Sequence, residues 1–153
     1  MSAGQPLTDE DRAPWLELVR TTAEHICTEQ QVNPNKKGIV GVVIACSALK
    51  KAYRDVLRGT HKPGAVPSHL EPPHPHVLPT YICFLKGERE TLLDRMTTRQ
   101  GHFMKAQMLD SQLATLESPE GEDGVTVVRV EDDPDTQLET ALKGLRGYGV
   151  PLD

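Results

Sequence analysis

An α/β fold on a parallel sheet is expected from this 153-residue sequence on three observations. Three short apolar runs lack helical periodicity, a helical pattern follows each of them, and a long amphipathic segment stands in front of the first. Thr8-Asp9-Glu10-Asp11 supplies capping residues and first-turn acids, and Trp15, Leu18, Thr22 and Ile26 recur at helical spacing, so a helix is expected from about Asp11 to Gln30. Pro14 suits its first turn, where a missing N–H costs nothing. After the polar break at 33–38, Ile39 to Cys46 is apolar on both faces, the pattern of a central parallel strand. A second helix begins at Ser47 and carries Leu49, Tyr53, Val56 and Leu57 on one side.

Residues 59–79 are rich in Pro, His and Gly without periodicity and read as a surface loop. His61, His69, His74 and His76 within it have no fixed ligand spacing, so no metal site is expected there. The second strand is expected over Thr80 to Leu85, a helix over Glu88 to Thr98, and a further helix through Met108, Leu109, Leu113 and Leu116. Gly124 to Val130 reads as the third strand. A closing helix runs through Leu138, Ala141, Leu142 and Leu145.

The length fits one domain, taken as residues 1–153. A net charge of −5 disfavours nucleic acid as a partner. No apolar run reaches the length of a membrane span, and the first six residues lack the basic and apolar regions of a leader, so the cytoplasm is the expected compartment. Cys27, Cys46 and Cys83 form an odd set without Cys-x-x-Cys spacing and read as buried free thiols. Trp15 heads the apolar stripe of its helix and reads as core.

The chemistry concentrates in residues 95–112. Arg95 and Arg99 are spaced i,i+4 on one helix face and are followed by Gly101, His102 and Lys105, which suits a mobile element closing over polyphosphate. A solvated face paired with Asp94 is the competing reading of the two arginines; the Gly-His-Phe-x-Lys continuation favours the lid. Lys50 and Arg54 follow the C-terminal end of an apolar strand, where open α/β sheets place ligands. Arg12 has two readings of equal weight, a substrate contact or a helix-start salt bridge with Asp9 or Asp11. Tyr53 reads as packing.

Three ordered motifs carry a family resemblance. Gly4-x-Pro6-Leu7-Thr8-Asp9-Glu10-Asp11-Arg12-x-Pro14-Trp15-Leu16 is the first, and Cys46-Ser47-Ala48-Leu49-Lys50-x-x-Tyr53-Arg54-Asp55-x-Leu57-Arg58 the second. The third is Arg95-x-x-x-Arg99-x-Gly101-His102-Phe103-x-Lys105 with Met108-Leu109-x-Ser111-Gln112 and Leu116-Glu117. Together they resemble the gluconokinase family. The resemblance implies a three-layer parallel sheet of the P-loop nucleoside and shikimate kinase type. It implies transfer of the γ-phosphoryl of ATP, with Mg²⁺, to D-gluconate, giving 6-phospho-D-gluconate for the pentose phosphate pathway. It implies a homodimer as a reasonable assembly.

The family's first strand, its Gly-x-Ser-Gly-x-Gly-Lys-Ser-type phosphate loop, the first helix and the second strand have no counterpart in this sequence, so the expected fold is N-terminally truncated. Carried over by motif, Arg95, Arg99 and Lys50 would be catalytic, the two arginines also binding nucleotide. Arg12, Arg54, His102, Lys105, Gln107, Ser111 and Gln112 would bind substrate, with no metal ligand. The competing expectation is a catalytically incompetent paralogue or fragment that keeps substrate or subunit binding, because phosphoryl transfer rests on the missing cradle.

Overall fold

A computed structural model gives the structure of the chain and describes residues 7–35, 37–64, 67, 70, 78–98 and 106–152. The chain divides into two compact units, Met1–Thr80 and Tyr81–Asp153, where the sequence reading expects one domain. The physical reason lies in the sheet: one of the three expected strands is not part of it.

In the first unit, α1 (Asp9–Val32) starts on a full capping box. The Thr8 hydroxyl accepts from the Asp11 N–H at 3.2 Å, and the Asp11 carboxylate accepts from the Thr8 N–H at 2.9 Å. The helix therefore begins two residues before the expected Asp11, and Pro14 falls at its sixth position, beyond the first turn. The Glu10 carbonyl loses its intrahelical partner there and faces water on an exposed residue. The buried stripe of α1 is Leu16, Arg20, Ala23 and Cys27. The stripe expected from the sequence is the other face, and Trp15 at its head is 50% exposed, a correction to its assignment as core. The helix is apolar on two faces, and only one of them packs on the short helix α2 (Lys51–Arg58).

Arg20 organises this packing. Its Nε meets the Glu24 carboxylate at 2.6 Å, and one Nη reaches the Leu57 carbonyl at 3.0 Å, the Leu78 carbonyl at 3.2 Å and the Thr80 hydroxyl at 2.9 Å. One guanidinium thus fastens α1 to the end of α2 and to the chain entering the second unit's sequence. Gly59 ends α2 at a φ of +74°, and a β-carbon there would stand 3.0 Å from the Arg20 guanidinium carbon. Both its left-handed backbone and the close approach require glycine.

Residues 39–46 do not form the expected central strand. They run without helix, turn or ladder, and Ile39, Val43 and Ile44 are 56%, 101% and 43% exposed. A parallel strand exists only through its neighbours' backbone groups, and among the described residues none pairs with this run.

The second unit holds a parallel pair, β1 (Ile82–Lys86) and β2 (Val125–Arg129), in the register Ile82 to Val125 through Lys86 to Arg129. The unit also holds α3 (Arg89–Thr98), α4 (Ala106–Thr115) and α5 (Pro134–Gly147), of which α5 packs on β2. These five elements stand within two residues of the sequence expectation wherever it gave bounds. The Asp133 carboxylate caps α5 by accepting from the Asp135 and Thr136 N–H groups, both at 3.1 Å, with Pro134 as the first helical residue. Val128 at 1% exposure is the centre of the small core, whereas Leu85 on β1 remains 60% exposed. Of the three thiols, Cys27 is buried, Cys46 half-buried and Cys83 exposed, so the expectation of three buried thiols holds only for the first. Cys83 follows the alternation of β1, whose outward face is uncovered among the described residues.

Two glycines of α5 make opposite predictions. A β-carbon on Gly144 would fall 2.0 Å from the Thr126 hydroxyl oxygen, while one on Gly147 meets nothing within 4 Å. Chemical denaturation should show Gly144→Ala losing about 1–3 kcal/mol by overpacking and Gly147→Ala gaining roughly 0.5–1 kcal/mol from helix propensity. In the first unit, Arg20→Ala leaves the Glu24 carboxylate without its ion pair and the Thr80 hydroxyl alone to serve the Leu57 and Leu78 carbonyls, and the expected loss is on the order of 3 kcal/mol.

Candidate functional site

The turn after residue 46 places the polar cluster of the first unit. Ala48 has a φ of +39°, a conformation that costs a side chain bearing a β-carbon about 1 kcal/mol or more. Arg54 holds it there: one Nη donates to the Ala48 carbonyl at 2.9 Å and to the Leu49 carbonyl at 3.2 Å. The turn sends Leu49 into the core at 7% exposure and leaves Lys50 outside, at the N-cap of α2. Lys50 then meets Asp9 at 2.6 Å across from the first turn of α1.

Tyr53 completes the cluster. Its ring is buried at 6% exposure, its hydroxyl donates to the second Asp9 oxygen, and both the Lys50 ammonium (5.7 Å) and the Arg12 guanidinium (5.6 Å) stand over its face. Arg12 also donates its Nε to the Leu7 carbonyl at 3.2 Å. The hydrogen bond from Lys50, and then that from Tyr53, lowers the Asp9 carboxyl below its ordinary 3.8. The bond to Asp9 raises Lys50 above 10.5. Burial, and then the hydrogen bond to Asp9, pushes the Tyr53 phenol upward. The arrangement is a cationic surface on an aromatic floor, with one carboxylate holding the ammonium in place. An incoming anion would exchange with that carboxylate at Lys50.

The other expected site residues separate. Arg54, expected to bind substrate, is 1% exposed and spends its guanidinium on the Ala48 turn; it builds the site from behind. Sequence spacing placed it beside Lys50, but Lys50 precedes the helix that Arg54 belongs to, so the two side chains diverge. In the second unit, Arg95 sits near the end of α3 and donates to the Val130 carbonyl at the end of β2, not to Asp94. Gln107, Ser111 and Gln112 lie on α4, with Gln107 exposed and the Ser111 carbonyl accepting from the Thr115 hydroxyl at 2.8 Å. Arg99, Gly101, His102 and Lys105 lie outside the described residues, as does most of the expected loop 59–79. Asp9 is the member of this cluster that the sequence reading did not place with Lys50. Its place in the first turn is fully accounted for by the helix dipole, and its reach to Lys50, 41 residues on, leaves no local signal.

No family model matches the chain. In overall structure it is similar to a sugar kinase from Janibacter sp. HTCC2649, with a TM-score of 0.71 and 36% identity over 95% of this chain and 70% of that one. The same holds for a gluconokinase from Sinorhizobium meliloti 1021, with a TM-score of 0.69 and 36% identity over 97% of this chain and 69% of that one. In sequence it is 40% identical over 143 residues to the gluconokinase of Gluconobacter oxydans (strain 621H), covering 94% of this chain and 66% of that protein. The fold is thus that of the P-loop class of small-molecule kinases. Within that class, the chain belongs to the gluconokinase family. It spans about two thirds of the length of the curated relatives it matches.

The Asp9 bridge has a pH signature. A lowered Asp9 contributes stability that is present above pH 3.8 and is lost as pH falls through its folded value. A raised Lys50 contributes stability that is present below pH 10.5 and is lost as pH rises through its folded value. Thermal unfolding of Asp9→Asn should therefore show a lower midpoint than the parent at pH 7. That gap should close as pH is taken below 3.8.

Proposed function

We propose that this chain carries the sugar-acid side of a gluconokinase, an enzyme that phosphorylates D-gluconate to 6-phospho-D-gluconate at the expense of ATP. The observation that carries the reading is the match to a gluconokinase along 94% of the chain, a span that includes both Lys50 and the Arg95 helix. The cluster fits a substrate with a carboxylate: Lys50 and Arg12 offer the cations, and exchange with Asp9 lets the ammonium change partners without being left bare. Arg95 and Arg99 are the residues proposed to meet the charge of the transferring phosphoryl group, and His102 and Lys105 to close with them. Gln107, Ser111 and Gln112 are proposed to bind the hydroxyls of the polyol.

The nucleotide half is a different matter. The sequence contains no Gly-x-x-x-x-Gly-Lys-Ser/Thr run, and among the described residues no three His, Cys, Asp or Glu side chains are grouped to hold a metal ion. These residues do not fit the polyphosphate and Mg²⁺ of a bound nucleotide. We assign that cradle to the third of the relatives' length that the chain does not span. The same observation favours a second reading, in which this chain binds the sugar acid without catalysing transfer.

Calorimetric titration separates the outcomes. The purified chain should bind D-gluconate and discriminate against D-glucose, which has the hydroxyls but no carboxylate. Lys50→Ala should weaken gluconate binding about tenfold to a hundredfold, the worth of a charge-assisted hydrogen bond. The chain alone should phosphorylate gluconate more slowly than about 1 per second. Equal affinity for both sugars would sink the assignment of the site, and faster turnover would return the nucleotide half to this chain.

A further inference from the structure

The first turn of α1 carries three acids, Asp9, Glu10 and Asp11, and their surroundings differ. Asp11 is held by its own cap, where one carboxylate oxygen accepts from the Thr8 N–H and from the Thr8 hydroxyl, both at 2.9 Å. Glu10 is exposed. Asp9 crosses to α2: one of its oxygens takes the Lys50 ammonium at 2.6 Å and the other takes the Tyr53 hydroxyl. Two donors at the start of one helix thus grip both oxygens of a single carboxylate, with the Arg12 guanidinium as a further cation over the same ring. A free carboxylate arriving from solution would receive the same coordination.

We infer that Asp9 is an internal competitor at the sugar-acid site: its carboxylate occupies the two donors that a substrate carboxylate needs, and binding requires its displacement. The inference rests on the reading of that site given above and concerns its regulation. Exposure decides which partner leaves. The Tyr53 ring is 6% exposed and cannot follow a departing group, and the Lys50 side chain is 29% exposed against 55% for Asp9. Once released, Asp9 remains in the first turn of α1, where water and the helix N-terminus keep its charge at little cost.

Two consequences follow for the ligand. The donors are aimed and satisfied before it arrives, so no ammonium stands bare in the resting chain. Its apparent affinity is lowered by the fraction of chains in which Asp9 holds the donors. Both bonds of Asp9 are replaced together only by a group with two acceptor oxygens on one centre, which favours a carboxylate over a single-atom anion such as chloride.

Asp9→Asn is the direct test, because a competitor and a supporting residue respond with opposite signs. The variant is expected to be less stable than the parent at pH 7, yet calorimetry should show it binding D-gluconate about threefold to tenfold more tightly. Glu10→Gln removes the same charge from the same helical turn at an exposed position, and its affinity should stay within about twofold of the parent. A second measurement uses the parent chain and needs no substitution. The ¹³C signal of the Asp9 carboxyl should move on titration with gluconate, with the midpoint seen by calorimetry, while that of Asp11 stays in place. Potassium chloride at matched ionic strength should move neither. Unchanged or weaker gluconate binding by Asp9→Asn overturns the inference and leaves the sugar-acid site standing, as does gluconate binding with a stationary Asp9 signal. An equal gain in Glu10→Gln, or a chloride titration that moves Asp9 as gluconate does, overturns it in favour of a general field effect. Absence of gluconate binding by the parent and Asp9→Asn alike removes the site itself, and the inference with it.

Discussion

The first unit depends on a buried guanidinium. Arg20 stands in the inward stripe of α1, where a hydrophobic side chain would be ordinary, and its removal from water is offset by one carboxylate, two carbonyls and a hydroxyl. An apolar residue could fill the volume but could not fasten three separate stretches of chain at one point. The position of the end of α2 follows from that fastening, and so does the requirement for glycine at 59. Through α2 the same restraint reaches Tyr53, and so the floor on which Lys50 and Arg12 converge.

A second arginine works in the same way at shorter range. Arg54 binds the carbonyls of a left-handed alanine and its neighbour, and that turn decides which of two consecutive residues enters the core and which faces solvent. Leu49 goes in and Lys50 goes out. The candidate site is therefore built in two layers: an inner one of arginine on backbone and the Tyr53 ring, set by burial, and an outer one of Asp9, Lys50 and Arg12, able to exchange partners because it is wet.

How much of this was legible in the sequence divides along the range of the interactions. Caps are local, so Thr8 marked its helix, and the strands of the second unit were readable because Ile82 to Lys86 and Val125 to Arg129 find each other. The run 39–46 had the composition of an inner strand, but pairing is a property of the neighbour and cannot be read from the run itself. The α1 helix deceived for a related reason. Its packed stripe contains Arg20, which reads as polar, while its unpacked stripe contains Trp15, Leu18 and Ile26, which read as core. Arg54 and Asp9 were misplaced by the same limit: spacing gave their neighbours along the chain, and their partners were chosen by a backbone turn and by a residue 41 positions distant.

The bare run from Ile39 to Cys46 also bears on the life of the chain after synthesis. It is uncharged, rich in β-branched residues, free of proline and flanked by no acidic residue, the composition that stacks into cross-β assemblies when identical copies meet. Its nearest charges are the basic ones at 37 and 50, and these alone act as gatekeepers. Chaperones and proteases recognise the same kind of surface. Covering these eight residues is thus the change that would most reduce the tendency of copies of this polypeptide to stack on one another.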